Sequence, residues 1–282
     1  MGRLVQIMTG LLVILVLNQP TPLRAEVQGH PDILILGDSQ LTFGSGPAFV
    51  DLFTDMAGSC GLDAGSTVGV IGVRSSTIRA WTGDSRRSRS AICDVDPTWQ
   101  VNAGAYGTLS QGENPYVQIG RGDQFQFCQS GQSPLEAVFA NDYYNPKLLV
   151  MFLLGNAAER WANDPNAALA DVQAMMADLP DDQPCIFMTT APTFGQVVVE
   201  MRLRAQNNLQ LAFQQSGRQC SFVAGYTTET IAANLGNAQH FRRRASGSVR
   251  DPFHPTEEAA RVFLGLERDA VCAAVQAQLG AN

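Results

Sequence analysis

Asp32-Ile33-Leu34-Ile35-Leu36-Gly37-Asp38-Ser39-Gln40 decides the reading of this chain. Four consecutive apolar residues, with no polar alternation, predict a strand covered on both faces, as in parallel sheets. Gly37 then permits a tight turn. Asp38 and Ser39 are turn and cap formers, and the next segment can open a helix. A serine there sits at the carboxyl end of a strand, with its own N–H free to bind an oxyanion. Taken alone, the triplet reads first as a cap or a turn.

Similar apolar runs recur at Val68–Val73, Leu148–Leu154, Ile186–Thr190 and Ser221–Ala224. Amphipathic segments lie between them. One carries Leu169, Val172, Met175, Met176 and Leu179; another runs from Val197 to Gln215 and is closed by Gly217 at the C-terminal cap position. The last begins after Pro255 and Thr256, with Glu257 and Glu258 in its first turn and Ala259, Phe263, Leu266, Ala270 and Ala273 on one face. Strand–helix alternation predicts an α/β domain with a mainly parallel five-stranded sheet between two helix layers. In such sheets ligands bind beyond the carboxyl ends of the strands.

Residues 1–25 read as a secretory signal peptide: Arg3, a mostly apolar stretch from Leu4 to Leu17, Pro20 and Pro22, then Ala25 at a cleavage point. The alternative, an uncleaved anchor, needs about 20 apolar residues, more than this stretch supplies. The remainder, 26–282, is expected to be one domain, secreted to the periplasm or the medium, with no membrane span. The leader holds Arg3 and Arg24 and no acid, so without it 19 bases become 17 against 26 acids, a net charge of −9. Such an acidic chain is a poor nucleic-acid binder. Composition sets no oligomeric state.

Six cysteines in an exported chain predict three disulfides. Cys185 and Cys220 each open a strand-like run and are expected side by side at a sheet edge. Cys93 and Cys128 bracket an irregular insert at about 83–140, and Cys60 would then tie the first helix to Cys272 in the last. No paired Cys-x-x-Cys stands in the chain, so no metal is assigned. The insert also contains Arg121-Gly122-Asp123, a triplet common by chance, which is given no weight.

Chemistry enters with Asp251-Pro252-Phe253-His254-Pro255. Of three histidines, His30 precedes the first strand and His240 lies in a basic loop. His254 has Asp251 three residues back. That carboxylate can orient the ring through one nitrogen and leave the other to take a serine proton. The alternative is a loop histidine with a chance acidic neighbour.

At these residues the chain resembles the SGNH (GDSL-type) hydrolases, from about residue 32 to 280 in block order. Gly37-Asp38-Ser39 is similar to the first block, which implies Ser39 as nucleophile. Asp251-x-x-His254 is similar to the last, which implies His254 as base and Asp251 as its orienter. The second block implies an oxyanion-binding glycine after the second strand, Gly72 or, alternatively, Gly69. The third reads Gly-x-Asn in the family. Here Gly155 and Asn156 are adjacent, a departure of one residue, and Asn156 is the implied amide donor. The resemblance implies a flavodoxin-like three-layer α/β/α sandwich and a serine ester hydrolase that needs no cofactor. It implies an O-acetyl or short-acyl ester, on a small molecule or a polysaccharide, as substrate. Acyl transfer to a sugar hydroxyl, and non-catalytic carbohydrate binding on the same scaffold, are the alternatives. Trp81 and Trp161 follow the second and third blocks and are candidate sugar-stacking residues, with core packing the competing reading. Arg242, Arg243, Arg244 and Arg250 form a basic stretch that would attract an anion or simply be solvated.

Overall fold

A computed structural model of the chain describes residues 31–56, 58–82, 133–139, 145–217 and 220–280, and the backbone of 101–108. In chain order the elements are β1 (Ile33–Gly37), a π-helical turn (Leu41–Ser45) running into α1 (Gly46–Asp55), β2 (Thr67–Val73), α2 (Ile78–Trp81), β3 (Val101–Thr108), α3 (Pro134–Phe139), β4 (Leu148–Phe152), α4 (Ala158–Asn163), α5 (Pro165–Asp178), β5 (Cys185–Met188), α6 (Gln196–Gln215), β6 (Cys220–Val223), α7 (Thr228–Asn234), β7 (Phe241–Arg243), β8 (Val249–Pro255), α8 (Glu257–Leu266) and α9 (Arg268–Leu279).

Both faces of β1 are buried, as its unbroken apolar run requires. Ile33 and Ile35 point to a layer made by α1, α8 and α9, through Phe49, Phe53, Phe263 and Val275. Leu34 and Leu36 point to the opposite layer, made by α2 to α6, through Trp81, Val138, Trp161, Val172 and Leu209. This two-residue period turns one strand into the middle of three layers. Each fully buried aliphatic side chain contributes about 1.5–3 kcal/mol.

The sheet order is β3-β2-β1-β4-β5-β6. Five strands are parallel, as expected, and β3 adds a sixth, antiparallel strand at the edge. β3 falls within the segment read from sequence as an insert. Strand order reverses between β1 and β4, which opens a crevice at their carboxyl ends. β7 and β8 form a separate two-stranded ribbon.

Two expected disulfides are present. Cys185 and Cys220 are register partners on β5 and β6, and Cys60 joins Cys272 on α9. Cys93 and Cys128, the leader and the Arg121–Asp123 triplet lie outside the described residues. Among the described residues no helix is long and apolar enough to cross a membrane.

The C-terminal segment differs from its expected single helix. It breaks at Glu267, whose carboxylate accepts from Thr227 Oγ1 at 2.9 Å. The break rotates the buried face, so Val271, Ala274 and Val275 face the core while Leu266, Ala270 and Ala273 are exposed.

Candidate active site

β1 ends against β4 so closely that a Cβ on Gly37 would lie 2.4 Å from the Phe152 carbonyl oxygen. No other residue fits there. The chain then turns through Asp38, whose Oδ1 accepts from the Gln40 N–H at 2.8 Å. That bond holds Ser39 between them at the start of the helical turn, beyond the strand end.

Gln40 is buried and spans two further elements. Its Nε2 donates to the carbonyls of Ala191 (3.1 Å) and Phe253 (3.0 Å), and its Oε1 accepts from the Ala191 N–H (2.9 Å). One amide thus ties the serine turn to the exit of β5 and to the residue beside His254.

His254 stands on β8. Asp251 folds back within that strand: its Oδ1 accepts from the N–H groups of Phe253 (3.1 Å) and His254 (3.3 Å). His254 Nδ1 lies 2.8 Å from Asp251 Oδ2, and His254 Nε2 lies 2.8 Å from Ser39 Oγ. With Nδ1 protonated toward the carboxylate, Nε2 is left to accept the serine proton. The ring of Phe43, from the π-helical turn, packs 4.6 Å from the imidazole centroid. Residues 215 apart in sequence are therefore joined in one hydrogen-bonded chain.

A cleft of about 360 Å³ opens over this chain, within the range of small-ligand sites. Its lining includes Ser39, His254, Arg74, Ser75, Asn156 and Arg202. Asn156 is exposed, in the short 3-10 turn after β4, and its Nδ2 donates to the Ser76 carbonyl at 3.0 Å. The adjacency of Gly155 and Asn156 thus still brings the amide to the cleft.

Gly72 does not line the cleft. It sits inside β2, paired with Gly37, where a Cβ would lie 2.8 Å from Thr42 Cγ2 and 3.0 Å from Leu41 Cβ. Its lack of a side chain lets the π-helical turn pack on the sheet. Gly69 is further back in the same strand, against Pro31. Beyond β2 the lining residues are Arg74 and Ser75, and Ser75 adopts a left-handed backbone (φ 63°) despite its side chain. Such a conformation costs energy outside glycine and persists only where the surrounding structure over-determines it.

The tryptophan expectation is corrected as well. Trp81 and Trp161 are both 0% exposed and offer no face to a sugar. Trp81 Nε1 donates to Ser76 Oγ at 3.3 Å, and Trp161 Nε1 to Asp171 Oδ2 at 2.8 Å. Their apolar surface drives both into the layer under the cleft. Of the basic stretch, Arg242 turns back, with its guanidinium carbon 4.6 Å from the centre of the Phe43 ring.

Asp38 is 2% exposed. Burial pushes its carboxyl above the ordinary value, against the Gln40 N–H and the charges of Arg202 and His254.

No known family model matches the chain, and no curated protein matches it. Among solved structures, the fold is similar to that of a DUF4886 family protein from Bacteroides uniformis. The two share 10% identity over 90% of this chain and 95% of that one, with a TM-score of 0.50. The likeness is one of fold alone. A solved peptidoglycan O-acetylesterase is similar at 11% identity over 89% of this chain and 93% of that one, with a TM-score of 0.42.

Sequence reasoning missed Gln40, Ser75 and Arg202. Ser75 leaves no trace, since serine does not announce a left-handed backbone. Arg202 does: with Val199, Gln206 and Leu209 it follows the helical period on the buried stripe of α6, where an arginine is out of place.

Proposed function

We propose that this chain is an exported serine ester hydrolase of the SGNH type, removing O-acetyl or other short acyl groups from a carbohydrate. The observation that carries it is the Ser39 Oγ–His254 Nε2 contact of 2.8 Å, with Asp251 on the far ring nitrogen, at the sheet's switch point.

In this reading Ser39 Oγ attacks the ester carbonyl carbon as its proton passes to His254 Nε2. The carbonyl electrons move to oxygen. That oxyanion is met by the Ser39 N–H, the Asn156 amide and, in place of Gly72, the Ser75 N–H. His254 returns the proton to the departing alcohol oxygen, leaving acyl-Ser39. Water then gives its proton to His254 and attacks the acyl carbon, and Ser39 leaves with that proton. Asp251 stabilises the imidazolium in both halves and keeps its own charge. With both tryptophans in the core, Phe253, 43% exposed at the cleft, offers an aromatic surface to a sugar.

The test is hydrolysis of 4-nitrophenyl acetate and of acetylated oligosaccharide by purified wild type and Ser39→Ala. Acetate release by wild type alone supports the reading, and equal rates for the two chains end it.

A further inference from the structure

We propose that the ester this cleft accepts carries a carboxylate, held in the same cleft by Arg202 with Arg74 at the mouth; this rests on the esterase reading above. The substrate class is then an acyl ester of an acidic carbohydrate, or an acyl group that itself bears a carboxylate.

Arg202 is 7% exposed, in the middle of α6, and lines the cleft. Its position is fixed on three sides. Nη1 donates to Tyr226 Oη at 3.4 Å, the guanidinium packs on Gly155 where a Cβ would lie 2.5 Å from Nη2, and Phe253 lies 5.8 Å away. Tyr226 is itself buried, and burial holds its phenol above the usual range, so it stays neutral. It orients the guanidinium without neutralising it.

Arg202 lacks an anion of its own. No ion pair joins it to a carboxylate among the described residues, and its Nε has no hydrogen-bond partner. Asp38 feels the charge of Arg202, but no ion pair joins them, and its carboxylate engages the Gln40 N–H. Thr190, another lining residue, has a buried hydroxyl that is also unpartnered. A buried guanidinium with open donor capacity is costly unless a ligand supplies the acceptor. Arg74 adds a second positive charge to the same lining, 4.2 Å over the Phe43 ring. Two guanidinium groups against one carboxyl, the buried Asp38, line this cleft in a chain whose net charge is −7. An arginine fork also matches carboxylate geometry better than a lysine would.

Matched esters test this. 3-Acetoxybenzoate against 3-acetoxybenzamide places the charge on the alcohol side. Mono-4-nitrophenyl succinate against 4-nitrophenyl butyrate places it on the acyl side. Wild type is expected to favour the anion in one pair by about tenfold or more in kcat/KM, the worth of one charge-assisted hydrogen bond. The preference should shrink in 0.5 M salt and collapse in Arg202→Gln, with partial retention in Arg202→Lys. If Arg202→Gln does not fold, Arg74→Gln and the wild-type preference decide. No preference in either pair overturns the proposal and leaves ester hydrolysis standing. If wild type cleaves none of the four esters, the esterase reading falls, and equilibrium dialysis with 3-hydroxybenzoate and with succinate, each against its amide, decides the anion site alone. Stronger retention of the anions, lost in Arg202→Gln, supports it; equal retention overturns it.

Discussion

β1 carries an aspartate at each end, and the two have opposite surroundings. At the amino end, Asp32 accepts from the Thr67 N–H (2.8 Å), Thr67 Oγ1 (3.0 Å) and Lys147 Nζ (3.1 Å). Its N–H donates to Thr67 Oγ1 and its carbonyl accepts from Leu148, so one residue clamps β1 to both neighbours. Burial pushes its carboxyl up, but these donors outweigh burial and hold it below the ordinary 3.8. At the carboxyl end, Asp38 is deeper, and burial wins. An oversupply of donors closes one end of the strand. At the other end burial outweighs the donors, and the carboxyl lines the cleft.

Ser39→Ala and Asp32→Ala separate the two ends most widely. On the proposed reaction, Ser39→Ala lowers ester turnover by about 10³-fold or more while thermal unfolding stays in place. Asp32→Ala does the reverse. Removing the clamp strands the Thr67 N–H, a cost of about 1–3 kcal/mol, with turnover at 25 °C retained. Calorimetry and acetate release on the same preparations read both quantities. Loss of turnover in Asp32→Ala without a fall in Tm would erase the division.

Gly37→Ala should damage both ends together. The added Cβ meets the Phe152 backbone oxygen at 2.4 Å, and a carbonyl in a strand ladder cannot rotate away. β1 and β4 must part, at a cost of about 1–3 kcal/mol or more, and Ser39 shifts with them. Tm and turnover are expected to fall in parallel. Gly72→Ala meets mainly Thr42 Cγ2 and Leu41 Cβ, side-chain atoms with more room to give, and is expected to fall less in both.

The layered fold was legible because its signal is local. The apolar run of β1 feeds both cores, and the cysteines that open β5 and β6 are register partners. Ser39, Asp251 and His254 were legible because each follows a feature with its own sequence signature: a strand end, and a carboxylate three residues before a histidine. The rest depends on packing between distant segments. Gly72 looked like an oxyanion donor because a glycine after a strand looks the same whether it clears space for Thr42 or bares an N–H. Trp81 and Trp161 stayed open between sugar stacking and core packing because their position at a strand exit says nothing of which way an indole turns. Gln40 joins segments 151 and 213 residues away, which no local pattern encodes.

The finest contrast is in pH. Asp32 is held below 3.8 in the folded state, so the unfolded chain binds its proton more readily. Its contribution to stability is present above that value and is lost as pH falls through the lower, folded value. Asp38 is raised, so the folded state keeps its proton longer. Its contribution is present below 3.8 and is lost as pH rises through the higher, folded value. The Tm of wild type minus that of Asp32→Asn should therefore grow with rising pH across the acid range. The Tm of wild type minus that of Asp38→Asn should shrink over the range above 3.8. The two differences are therefore expected to slope in opposite directions with pH. Taking differences removes the titration of every other carboxylate, which wild type and variant share. Asparagine keeps an oxygen for the Gln40 N–H at position 38, so the sign there reports charge rather than a lost turn. Slopes of the same sign would show that Asp38 is ionised in the fold as comfortably as Asp32, and that the carboxyl end of β1 is no less well supplied with donors than the amino end.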